Sequence, residues 1–414
     1  METTFRIEPT RLEDAPEVIS DLVADLVAAT TKLENALAPQ TAQNLAAMVR
    51  IMNTYYSNLI EGNVTRPRDI ELALVSGALA INDVPKTAQI EAALSDSLAP
   101  ERGAIDLLIE ALAHVQVQAK IDAMAANSQL AEPASEDFIK WLHREFYLGA
   151  STSMLEISGN GRSFQMVPGD WRSAPEHNVA VGRHQPPESD RVHDFMLYFS
   201  TRYEFSRLGR SARILAIPAA HHRFNYIHPF PDGNGRVSRL MSHAMAHIAG
   251  IGAHGLWSIS RGLARGLNSR NDYKRMMEYA DLPRQGDLDG RGNLSQKVLT
   301  EFTTWFLQIC LDQVLFMTGL FDIETLAMRL KQCVEDAGIK LEGARLLEEA
   351  LIRGQFDRGD AARITGLPER TARRVLAELS AVGLLGSDTP KGPVQLRFPM
   401  KYQDTLFPRL FLET

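Results

Sequence analysis

His228-Pro229-Phe230-Pro231-Asp232-Gly233-Asn234-Gly235-Arg236-Val237-Ser238-Arg239 places a base, a carboxylate, a glycine-flanked turn and two guanidiniums in one short run. Histidine has the unperturbed pKa nearest neutrality, which suits His228 to accept a proton. Asp232 offers the hard anionic oxygen that Mg²⁺ takes alongside phosphates and water. Gly233-Asn234-Gly235 lacks Cβ bulk at two positions, so backbone amides can approach an anion closely. A helix opening at this turn would aim free N–H groups and its dipole at a phosphate. Arg236 and Arg239, three residues apart, supply planar forks that match phosphate oxygens. Alone, a histidine, a Gly-Asn-Gly turn or a pair of arginines at a helix start is ordinary. In this order they describe a site for a metal-bound triphosphate and an incoming hydroxyl.

The composition sets the outer limits. With 414 residues, the chain is too long for one typical core, and two or three domains are expected. Hydrophobic content of 45% and charged content of 23% are those of an ordinary globular protein. A net charge of −7 argues against binding nucleic acid through bulk charge. The first residues lack an apolar signal core, and no apolar run has the length of a membrane span. Cys310 and Cys333 are too few for a disulfide framework. These readings predict a cytoplasmic setting without membrane contact.

Hydrophobic spacing predicts helices over residues 13–38, 41–62, 69–81 and 100–126, with Pro39 as a breaker and Thr41 as an N-cap. Within residues 159–187, the runs 164–167 and 178–181 read as short strands of a hairpin or irregular flap. Further helices are expected over 190–203, 210–226 (interrupted by Pro218), 236–249, 268–279 and 294–331. Residues 342–353, 360–365 and 369–382 read as three short helices, followed by strands 384–387 and 394–398. Three helices and a two-stranded wing describe a winged helix-turn-helix module. Its second helix-turn-helix helix carries Arg370, Arg373 and Arg374, a candidate DNA contact. Residues 341–414 nevertheless hold 11 Lys/Arg against 10 Asp/Glu, a weak footprint for a DNA reader.

The run from His228 to Arg239 resembles the Fic (filamentation induced by cAMP) family, whose signature is His-x-Phe-x-(Asp/Glu)-Gly-Asn-Gly-Arg-x-x-Arg. His228, Phe230, Asp232, Gly233, Asn234, Gly235, Arg236 and Arg239 complete it. The resemblance, over roughly residues 40–285, implies a mainly α architecture: an all-helical Fic core with a small β-hairpin flap, joined to the winged helix-turn-helix domain. It also implies an ATP- and Mg²⁺-dependent AMP transferase acting on Ser, Thr or Tyr hydroxyls of a target protein. In that reading His228 is the base, Asp232 holds Mg²⁺, and Gly233, Asn234 and Gly235 form the anion hole. Arg236 and Arg239 bind the β/γ-phosphates, and Phe230 anchors the loop. Kinase-like relatives have Lys at the position of Gly235, so Gly235 favours nucleotidyl over phosphoryl transfer.

Ser57-Asn58-Leu59-Ile60-Glu61-Gly62 matches the family's inhibitory (Ser/Thr)-x-x-x-Glu-(Gly/Asn) helix and precedes the catalytic motif. The resemblance implies that Glu61 pairs with Arg239 and blocks productive ATP binding. Taken on its own, Ser57–Gly62 is equally a helix end with a solvated Glu and a glycine cap. Val179, Ala180, Val181 and Gly182 look like the target-binding flap, which would pair with a target backbone. Tyr273, Tyr279 and Asp281 lie where relatives place groups near adenine, although core packing accounts for the tyrosines as well. The domains expected are 1–126 (helical, inhibitory), 127–285 (Fic catalytic), 286–340 (connecting helices) and 341–414 (winged helix), with a homodimer or a protein partner of the last as alternatives to DNA. Other readings are a DNA-binding regulator with a Fic-derived sensor core, and a Fic enzyme performing phosphoryl transfer or de-AMPylation.

Overall fold

The structure, a computed structural model, describes residues 3–63, 65–75, 102–159 and 162–411. The described residues are mainly helical, and their only sheets are two small antiparallel hairpins. They divide into two compact units, the first comprising Met1–Ala28, Asn53–Gly252 and Ser258–Gln313, the second Ala29–Met52, Ala253–Trp257 and Val314–Thr414.

In chain order the helices are α1 (Glu17–Glu34), α2 (Pro39–Ile60), α3 (Pro67–Val75), α4 (Arg102–Ala126) and α5 (Glu136–Phe146). The hairpin β1 (Glu156–Gly159) and β2 (Arg162–Gln165) follows, then α6 (Val192–Arg202), α7 (Arg210–Ile227), α8 (Asn234–Ile248), α9 (Ile259–Arg265), α10 (Asp272–Ala280) and α11 (Gln296–Leu320). The central member of the first unit is α8, which packs against α4, α5 and α7. Val237, Leu240, Met241 and Ala244 make it apolar on one side, yet Arg236, Ser238, Arg239, Ser242 and His243 on the same helix are also buried. Burying that many polar groups is costly unless each finds a partner, so the polar face of α8 marks where the structure concentrates its chemistry.

The second unit continues with α12 (Ile323–Asp336), α13 (Ala344–Arg353), α14 (Ala361–Thr365), α15 (Glu369–Ala381), β3 (Leu385–Gly386), β4 (Gln395–Leu396) and α16 (Gln403–Leu406). Gly366, at φ +72°, turns the chain between α14 and α15. The β3–β4 hairpin is extended by a bridge between Phe356 and Val394. Leu346, Leu347, Leu351, Val375, Leu379, Leu384 and Leu396 form its core.

Four expectations need correction. Thr41 does not cap α2; the helix begins at Pro39, whose fixed φ and missing N–H suit a first helical position. The Thr41 hydroxyl instead donates to the carbonyls of Ala350 and Leu351 at 3.2 and 3.1 Å. Of the runs 164–167 and 178–181, read as strands of a hairpin or irregular flap, the first enters the β1–β2 hairpin, where Phe164 pairs with Ile157. The run 178–181 forms no strand and is irregular but for a bridge from Val181 to His184. The expected helix 294–331 is two, because the Asp322 carboxylate accepts the Thr325 N–H at 3.0 Å and starts α12 afresh. The apolar period runs on through buried Phe321, which is why spacing alone concealed the break. The wing strands are shorter than their apolar runs, two residues each. The expected helices 69–81 and 100–126 are seen as α3 and α4, their parts at 76–81 and 100–101 lying outside the described residues.

Candidate active site

The motif loop is built by capping. α7 ends on His228 in the left-handed region, φ 51° and ψ 61°. Buried Arg172 holds that main chain, donating to the carbonyls of His228 (2.7 Å), Ile227 (3.2 Å) and Pro187 (3.0 Å) and to Ser189 Oγ (2.9 Å). Fully buried Phe230 stacks on His143, ring centroids 3.8 Å apart, and lies 4.7 Å from the Trp171 ring. The Asn234 side chain closes the loop, accepting from Phe230 N–H at 2.9 Å and donating to Phe230 O at 2.8 Å. It is therefore engaged within the loop. Gly233, at φ +79°, precedes α8, and a Cβ there would lie 2.9 Å from Tyr147 Oη. The first turn of α8 thus opens with its N–H groups directed out of the helix start.

Asp232 and Arg236 belong to one charged cluster. Asp232 Oδ2 accepts from Tyr147 Oη at 2.6 Å and from Arg236 Nη2 at 2.8 Å. Arg236 Nη1 also reaches Glu110 Oε2 on α4, at 2.5 Å. Burial disfavours the Asp232 carboxylate, but Arg236 and the hydrogen bonds from Tyr147 and Gly233 outweigh it and hold the pKa below the usual range. For Glu110 the balance reverses: burial exceeds the effect of Arg236, and its pKa is raised.

Arg239 meets the C-terminal end of α2. Its Nε donates to Ser57 Oγ at 2.9 Å, and Nη2 donates to Ser57 O at 3.0 Å and to Glu61 Oε1 at 2.6 Å. The Arg239 side chain is 1% exposed and that of Glu61 33%. Gly62, at φ +84°, turns the chain after the helix, with Asn63 N–H returning to Asn58 O at 2.9 Å. The conformation available to glycine leaves Glu61 at the helix end, facing α8.

Burial and the nearby Arg172 push the His228 imidazole down to about 4, against the opposing Asn225 carbonyl. The ring is therefore neutral at pH 7, the form that accepts a proton. Close by, Val181 and His184 pair across a tight turn, each N–H donating to the other's carbonyl at 3.0 Å. His184 Nε2 lies 2.7 Å from Tyr226 O, two residues before His228. Val181 and Gly182 at the tip are exposed, with Ala180, whereas Val179 is half-buried. Tyr273 is behind Arg239, its hydroxyl 2.8 Å from His221 Nε2. The Tyr279 hydroxyl faces outward to Glu301 at 2.8 Å, and Asp281 pairs with His222 at 3.0 Å.

In the second unit, Arg373 and Arg374 are each paired along α15, with Glu369 and Glu378 respectively, and Arg370 is exposed. Sequence reasoning missed Glu110, Tyr147, His143 and Arg172, because none lies at a motif spacing. Each reaches the loop only through tertiary contact.

Residues 133–246 match the Fic/DOC family. Among solved structures, the chain is similar to a Fic family protein from Desulfovibrio desulfuricans, at 17% identity and TM-score 0.49, covering 92% of this chain and 97% of that one. It is also similar to a Fic domain containing signaling protein from Bacteroides thetaiotaomicron, at 18% identity and TM-score 0.48, covering 72% and 96%. A segment of Fic-1 from C. elegans is similar at 16% identity and TM-score 0.42, covering 73% of each chain.

Proposed function

We propose that this chain is an autoinhibited protein AMP transferase, moving AMP from MgATP to a hydroxyl of a target protein. The observation that carries the reading is the Arg239–Glu61 ion pair, which joins the last residue of the motif to the end of α2. The residues present fit a magnesium-bound triphosphate. Gly233 and Gly235 lack side chains where α8 opens, and half-exposed Asp232 supplies an oxygen of the type Mg²⁺ prefers. Magnesium, when bound with the nucleotide, neutralises phosphate charge.

Neutral His228 would take the target hydroxyl's proton as that oxygen bonds to the α-phosphorus. The bond from the α-phosphorus to the bridging oxygen breaks, and pyrophosphate leaves. Val181 and Gly182, exposed at a turn tied through His184 to the end of α7, suit presentation of a target segment to His228. Glu61 competes with the outer phosphates for Arg239, since one guanidinium fork serves one anion at a time. A hydrogen bond between charged groups of this kind contributes about 1.5–3 kcal/mol, a roughly ten- to 150-fold bias toward the resting state.

The test supplies α-labelled or γ-labelled ATP to the wild type, Glu61→Gly, and Glu61→Gly with His228→Ala. Incorporation of the α-label, raised at least tenfold by Glu61→Gly and abolished by His228→Ala, is the expected result. Incorporation of the γ-label alone would make the chain a phosphoryl transferase. No labelling by Glu61→Gly would sink the proposal.

A further inference from the structure

Asp122 on α4 and His243 and His247 on α8 converge in a cluster that the chemistry above does not use. Asp122 Oδ1 lies 2.7 Å from His243 Nε2 and 3.0 Å from His247 Nε2, and the two nitrogens are 3.2 Å apart. The i, i+4 spacing brings both imidazoles to one face of α8, and their rings stand at 89° with centroids 4.7 Å apart. All three side chains are nearly buried. A Cβ at Gly252 would lie 2.5 Å from His247 Nδ1, so main chain presses on that edge of the ring while Nε2 faces Asp122.

As hydrogen bonds, these contacts bring two ring nitrogens to one carboxylate oxygen and within contact distance of each other. A metal ion would use the same three lone pairs together. Ligands held about 2.0–2.1 Å from Zn²⁺ are roughly 3.3 Å apart in tetrahedral geometry and about 2.9 Å apart on one face of an octahedron. The separations here lie within about 0.3 Å of the octahedral value and within about 0.6 Å of the tetrahedral one. Two imidazoles favour a first-row transition ion over Mg²⁺ or Ca²⁺, which take oxygen ligands. Two histidines and a carboxylate, with a fourth position for water, are a donor set that Zn²⁺ uses.

We propose that Asp122, His243 and His247 form a Zn²⁺-class site that fastens α4 to α8, one helical turn beyond Arg239. The site does not rest on the transferase reading, and its test needs no nucleotide.

The experiment strips the full, tag-free chain with chelator and titrates it with ZnCl₂ alone or MgCl₂ alone. Calorimetry, metal analysis after gel filtration, and thermal melting are the readouts. The expected result is about one retained zinc ion per chain, a raised Tm, and no such effect from MgCl₂. CoCl₂ in place of zinc should give visible absorption of a histidine-ligated ion in the wild type. His247→Ala and Asp122→Asn should each weaken zinc binding more than tenfold. An absence of retained zinc and of the cobalt spectrum would overturn the proposal, as would variants that bind zinc like the wild type. The cobalt spectrum needs no variant, so it decides the matter even if a substitution unfolds the chain.

Discussion

A Cβ at position 235 would lie 2.3 Å from Glu61 Oε1 and 3.1 Å from Arg239 Nη1, so the Glu61 carboxylate occupies the space that Gly235 leaves vacant. The missing side chain that opens the turn to a phosphate also admits the carboxylate that competes with it. Gly235→Ala should therefore destabilise the wild type by about 1–3 kcal/mol through overpacking. In a Glu61→Gly background the same substitution should cost clearly less. A urea double-mutant cycle measures the coupling, and strictly additive effects would contradict this geometry.

Ser57→Ala deletes the acceptor of Arg239 Nε–H within a buried contact. The expected cost is about 1–3 kcal/mol in urea unfolding. Arg239 keeps its bond to the Ser57 carbonyl, so this variant should release less labelling than Glu61→Gly. Labelling equal to that of Glu61→Gly would show that Ser57 matters as much as the carboxylate.

Glu110→Ala removes one of the two carboxylates that hold buried Arg236. Removing one partner of a buried pair costs about 3–5 kcal/mol when the charge is left uncompensated. Asp232 and Tyr147 remain on Arg236, so a measurable cost below that range is expected. A change in urea midpoint too small to resolve would mean that Glu110 is not needed to hold Arg236.

Acid should unfold the first unit through its buried histidines. Burial, with Arg239 second, pushes His114 and His221 down to about 3, and burial pushes His143 down to about 4. Below the ordinary histidine range the unfolded chain takes up protons that these folded residues refuse. Stability therefore falls as pH falls from about 6.5 toward the folded values, with a limiting slope of about 1.4 kcal/mol per pH unit for each histidine. Urea midpoints measured at pH 7, 6 and 5 should decrease in that order. A flat or rising series would contradict the assignment.

The helices around the motif were legible because their apolar positions repeat at helical spacing. The turn before α8 was legible because Gly233 and Gly235 flank Asn234. The partners of that turn were not. Glu110 sits in the middle of α4, and Tyr147 follows α5, where nothing local separates them from other polar residues of a packed helix. Strand β1 escaped notice because Glu156-Ile157-Ser158-Gly159 has one strongly strand-favouring residue, and its pairing with Arg162–Gln165 supplies what propensity lacks. The break at Asp322 was hidden for the opposite reason: apolar residues continue on both sides of a capping carboxylate.

Arg172 hydrogen-bonds the carbonyl of His228 and acts on the imidazole through its charge. Framework and reagent are thus anchored separately: the guanidinium fixes where the loop runs, and the ring is an interchangeable tool mounted on it. Removing the ring should leave the scaffold standing, so a silent His228→Ala variant reports on chemistry, whereas an Arg172 variant would disturb the loop that carries it.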